Sequence, residues 1–140
     1  MYILKKFKFH IAALLAILIS FLSYNAFGFD IDKKNTAFLE SYGWTVEKHY
    51  TDSSEIIVPS PFDMVYENYN LIQLDAGLDL RPYMGKNGTR YTYIVTNYPV
   101  ESEDTVYANV IVIDGKCVAG DIMTIPIDGF IHPLSFVPHR

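Results

Sequence analysis

Residues Ile11–Ile19 form an unbroken apolar run, and Phe21 and Leu22 extend it past a single Ser20. A chain of 140 residues has little interior in which to hide so uniform a helix. Lys5, Lys6 and Lys8 precede the run. A positive leading region followed by a short apolar stretch is what an export signal requires. The lysines stay on the cytoplasmic side, where lysine and arginine are favoured. Everything from about Asp30 onward is therefore expected to work outside the cytoplasm. Ala26-Phe27-Gly28 is a small-x-small triplet that a signal peptidase can cut after Gly28. Phe9 to Phe29 is also nearly charge-free, and about 20 apolar residues span a bilayer. Tyr24 and Asn25 suit neither reading. Residues 1–29 are thus read as a signal anchor, single-pass in the cell membrane, or as a signal peptide released by cleavage near Gly28. No cysteine follows the run, which excludes a lipid-modified N-terminus.

Residues 30–140 remain, roughly 110 positions and one domain by the usual size relation. Three of the 11 basic residues fall in the leader and all 16 acidic ones beyond it, so this part carries a formal charge of −8. Such a balance argues against nucleic acid and anionic headgroups as partners. Cys117 is the only cysteine, so no disulfide forms within the chain. Its neighbours Val118 and Ala119 suggest a strand and an inert, buried thiol.

Asp30–Lys34 reads as a polar junction and Asn35–Tyr42 as a short helix, with Phe38, Leu39 and Tyr42 on one face and Gly43 at its C-cap. Trp44–Tyr50 alternates apolar and polar residues, the period of a half-buried strand. Thr51–Ser54 reads as a turn and Glu55–Val58 as a second strand, paired with the first as a hairpin. The clearest helix follows, with Ser60 as N-cap, Pro61 in first position and Asp63 completing a capping-box spacing. Phe62, Val65, Tyr66, Tyr69, Ile72 and Ala76 form its apolar stripe, and Gly77 closes it.

Leu78–Gly88 is a connector rich in turn formers. Arg90–Tyr98, Thr105–Ile113 and Lys116–Ile125 then read as a three-stranded meander, with Asp114-Gly115 as a type I′ turn. An acidic loop at Glu101, Glu103 and Asp104 joins the first two strands. Pro126–Arg140 reads as irregular chain wrapping the sheet. The expected fold is α+β: an antiparallel sheet of about five strands packed by two helices and preceded by the hydrophobic helix.

Phe38–Trp44, Phe62–Asn70, Arg90–Tyr93 and Gly120-Asp121 resemble signatures of a Firmicutes family, domain of unknown function 4830. Asp128–His132 looks like its closing segment, although Pro133 stands where a small residue is expected. The resemblance covers nearly all of the chain beyond the leader. It implies a membrane-anchored or exported domain and brings no catalytic residues with it.

Asp121, Asp128 and His132 are the one acidic-plus-imidazole group in a short window, a donor set that suits a divalent ion. Against that, the spacing matches no metal motif, and Asp128-Gly129 makes a turn. Nine tyrosines lie from Tyr42 onward. Such rings stack on glycans or anchor interfaces, but Tyr66, Tyr69, Tyr91 and Tyr93 also fall on periodic core faces. Asn70 and Gln73, one turn apart, either bridge to the sheet edge or line a cleft. No nucleophile-and-base arrangement is evident, and no cofactor is implied. The expectation is a non-catalytic module binding an envelope protein or cell-wall component through Tyr66, Tyr69, Asn70, Asp121, Asp128 and His132. A metal-assisted hydrolase built on the Asp/His group is the alternative.

Overall fold

The computed structural model describes residues 2–99 and 104–138, without the side chains of 2–7 and 24–29. Glu101 and Glu103 of the acidic loop lie outside these residues, as do the side chains of Tyr24, Asn25 and the Ala26-Phe27-Gly28 triplet.

One helix, α1, runs from Tyr2 to Glu40. The expected junction at Asp30–Lys34 is absent, and the short helix after it is the last part of α1. Neither proline nor glycine occurs between Phe29 and Tyr42. Ile31, Asp32, Asn35 and Leu39 lie buried one turn apart along one side, so tertiary packing carries the helix through its polar stretch. Gly43, at φ +90°, ends it as expected: its amide bonds to Glu40 O and that of Trp44 to Leu39 O. Further back, Phe9, Leu14, Ile17, Phe21 and Leu22 are exposed around the helix. Among the described residues, whose side chains here run from Lys8 to Ser23, no helix is long and apolar enough to cross a membrane.

The sheet has five antiparallel strands in sequence order: β1 (Asp52–Ile57), β2 (Asn87–Ile94), β3 (Tyr107–Ile113), β4 (Lys116–Met123) and β5 (Ile131–Pro133). Three expectations fail here. The stretch from Trp44 to Tyr50 is no strand, making a single bridge from Val46 to Val95. It stays on the sheet edge through the Glu47 amide on Ile94 O, but Asp32 holds its end away from regular pairing: His49 Nδ1 and the Tyr50 amide bond to that carboxylate at 2.8 and 3.1 Å. No hairpin joins it to β1; both follow the same edge of β2, and the supposed turn opens β1. The tail is not wholly irregular, since Ile131–Pro133 pairs with β4. An outer strand tolerates Pro133, whose missing N–H costs no ladder bond if it faces away. The connecting turn is as expected, Asp114 and Gly115 standing at φ +48° and +73°.

Alternation along β3 divides the core. Ala108, Val110 and Val112 face a cluster with Leu39 and Trp44, while Ile111 and Ile113 face a second with Val58 and Leu80. The second is covered by α2 (Met64–Asp75) through Tyr66 and Tyr69. Helix α2 starts later than its sequence suggests. Ser60–Pro61 is a cis peptide, and Asp63 is the N-cap, its Oδ1 accepting the Tyr66 amide at 2.8 Å. Asp63→Ala is expected to cost about 1 kcal/mol, read from a denaturation midpoint, whereas Ser60→Ala costs little. The apolar stripe is also rotated. Val65 is 72% exposed, while Asn70 and Gln73 are fully buried. Gln73 Oε1 accepts the Gly120 amide at 2.9 Å and so closes part of the β4 edge, the bridging anticipated for it. Asn70 instead holds the connector, accepting the Leu80 amide and donating to Asp79.

Candidate functional site

Side chains directly opposite one another in an antiparallel sheet share a face. On the face under α2, the register sets Thr92, Asn109 and Asp121 in one row, and Ser54, Arg90, Ile111 and Ala119 in the next. The first row is a directed relay. Thr92 Oγ1 donates to Asn109 Oδ1 at 2.7 Å, and Asn109 Nδ2 donates to Asp121 Oδ1 at 2.8 Å. From α2, Tyr69 donates its hydroxyl to the other oxygen, Oδ2, at 2.7 Å.

Asp121 is only 2% exposed and has no ion-pair partner among the described residues. Burial raises its pKa; the bonds from Asn109 and Tyr69 and the charge of Arg90 oppose that rise without cancelling it. Burial likewise lifts the Tyr69 hydroxyl well above its ordinary range, and the Asp121 charge adds to the effect. Above this relay lies a cleft of about 260 Å³. Its helical wall is Val65, Tyr66 and Tyr69, and its floor holds Arg90, Asn109, Ile111, Asp121 and Met123. Ile56 and Ile131 complete its rim at the two outer strands.

Of the six candidates from sequence, the structure brings Tyr66, Tyr69 and Asp121 together. Asn70 serves the connector, as described. Asp128 lies exposed in the loop before β5. His132 is opposite Ile122, whereas Asp121 is opposite Pro133, so His132 and Asp121 project from opposite faces. The His132 ring is stacked between Phe130 and Phe136, with centroids 4.6 and 3.9 Å away. Burial there lowers its pKa. The Asp/His group read from sequence is therefore not assembled. Among the described residues, no group of three or more His, Cys, Asp or Glu side chains is placed to hold a metal ion.

A second polar centre ties α1 to the other face. Tyr93 donates to buried Asp32 at 2.9 Å and accepts from Asn35 Nδ2 at 3.1 Å. Asn35 Oδ1 in turn faces Cys117 Sγ at 3.4 Å. Burial raises the Tyr93 hydroxyl far above its ordinary range, and the Asp32 carboxylate that accepts its proton adds to the rise. The Cys117 thiol, expected to be buried, is half-buried, and that burial pushes its pKa up against the opposing charge of Lys34. Sequence reasoning missed Asp32, Asn35, Arg90 and Asn109. Strand alternation put Arg90 and Thr92 on the face opposite Tyr91 and Tyr93, but only the register sets Arg90 and Asn109 beside Asp121.

Neither a curated protein nor a solved structure matches the chain. The model of the family described as domain of unknown function (DUF4830) matches residues 38–122. That stretch contains Tyr66, Tyr69, Arg90, Asn109 and Asp121; the segment Asp128–His132, read as the family's closing signature, lies beyond it. The chain thus belongs to the DUF4830 family.

Proposed function

We propose that the chain is a membrane-anchored module working on the extracytoplasmic side, where it binds an envelope protein or a cell-wall component and catalyses nothing. The observation that carries this reading is the continuity of α1. Its exposed apolar part and the residues buried against the sheet belong to one helix. A cationic leader followed by an apolar segment that nothing covers among the described residues suits export and retention. The α2 cleft suits binding, with phenols and apolar side chains on its walls and a carboxyl whose two oxygens are both engaged. The hydrolase alternative loses its footing because Asp121 and His132 occupy opposite faces.

Intact mass measured separately on membrane, culture and cytosolic fractions tests the location. A membrane species retaining Met1 is expected, and a released species beginning near Phe29 makes the domain diffusible instead. A full-length species confined to the cytosol overturns the reading. Crosslinking on intact cells tests the partner: a defined adduct is expected, and recovery of nothing above control removes the binding claim.

A further inference from the structure

Arg90 stands out in the α2 cleft. It is exposed, lines the cavity, and forms no hydrogen bond or ion pair through its guanidinium among the described residues. Arg81, by comparison, pairs with Glu67 at 2.7 Å, and Lys86 with Asp114 at 2.8 Å. Asp121 makes no ion pair with Arg90 among the described residues, and its carboxyl lies buried, 2% exposed, with Asn109 and Tyr69 bonded to its two oxygens. The cleft therefore offers a visitor one positive group and no accessible carboxylate oxygen. Around that group the surface is apolar: Ile111 and Met123 on the floor, Val65 and Ile131 at the mouth. Val65 and Ile131 are exposed, so core packing does not account for their presence there.

We propose that this cleft binds a small carboxylate with an apolar body, its charge on Arg90 and its body between Val65 and the Ile111–Met123 floor. The inference rests on the reading of the chain as a binding module, but not on its location. A guanidinium pairs with a carboxylate through two parallel bonds, which fixes the head of the ligand. At about 260 Å³ the cavity is smaller than the roughly 300 Å³ at which drug-sized pockets begin, which sets the scale of the body. A cation is disfavoured by Arg90 itself. A polyanion meets a single positive group on a domain of formal charge −8.

The test is a titration of full-length protein kept in solution with mild detergent, labelled at isoleucine and methionine methyl groups, with phenylacetate as the probe. Saturable shifts at Ile111, Met123 and Ile131 are expected, and none with benzylamine. Arg90→Gln is expected to weaken binding about tenfold or more, with Arg90→Lys between it and the native chain. Arg90 is exposed, so these variants keep the fold, which the unshifted methyl signals report directly. No saturable shift, equal response to benzylamine, or unchanged affinity in Arg90→Gln each overturns the proposal. Fractionation plays no part in this measurement, so the ligand and the location fail or stand separately.

Discussion

Gly120→Ala is expected to lower stability by about 3 kcal/mol, at the upper end of the range for overpacking a close-packed core. A Cβ at this position would lie 2.6 Å from Asn109 O and 2.7 Å from Leu134 Cδ1. The first of these is backbone in β3, flanked by ladder bonds on both sides, and has little room to retreat. Displacing β4 instead would pull the Gly120 amide from Gln73, whose Nε2 already lacks a partner. The buried, single Trp44 gives the signal for a denaturant melt. Gly77→Ala is the control. It sits at φ +75° with nothing within 4 Å, so only backbone strain of about 1 kcal/mol applies. A smaller loss at Gly120 than at Gly77 would mean the sheet yields there.

Asp121→Ala is expected to cost about 3 kcal/mol, because it orphans the Tyr69 hydroxyl and the Asn109 amide, each worth roughly 1–3 kcal/mol when buried without a partner. Asp121→Asn should cost less. Its carbonyl can accept from Tyr69 and its amide can donate to Asn109 Oδ1, provided Asn109 turns over and donates to Thr92. Thr92 then accepts where it now gives; its hydroxyl hydrogen, on a half-buried residue, turns to solvent, and one hydrogen of the new amide is left without a partner. The same substitution removes a pH dependence. Burial raises the folded pKa of Asp121 above the ordinary 3.8, so the folded state holds this proton more tightly than the unfolded chain does. Its contribution is greatest below about pH 4 and declines as pH rises through the folded value. Urea midpoints across that window should show a downward slope with pH in the native chain relative to Asp121→Asn. Parallel profiles would mean that the fold does not bind this proton more tightly.

Legibility from sequence followed the range of the interactions. Asp114-Gly115 was readable because two consecutive positive φ values admit few residue pairs. Tyr93 and Val95 were readable as core because strand alternation is local. Asp32 was not. Its burial depends on Tyr50 and Tyr93, 18 and 61 positions away, and nothing in Asp30–Lys34 announces them. Helical periodicity put Val65 on the packing stripe with Tyr66 and Tyr69, whereas the side of α2 that meets the sheet is turned toward Asn70 and Gln73 and leaves Val65 exposed. Asn70 and Gln73 settle that orientation through bonds to Leu80 and Gly120. β5 escaped because it is three residues long and ends on proline. In the cleft, the phenols and Asp121 could be named from sequence, but Arg90 and Asn109 acquire meaning only from the strand register.

The unbroken α1 also has a mechanical consequence. Thirty-nine residues make a rod about 58 Å long, and its last turns are fastened to the sheet through Leu39, Asn35 and Asp32. Where the apolar end is held, a twist or tilt applied there reaches the sheet through this one continuous helix. Under the proposed anchoring, the helix would be a lever and a ruler: it would set how far the α2 cleft stands from whatever holds the other end, and in which direction it points.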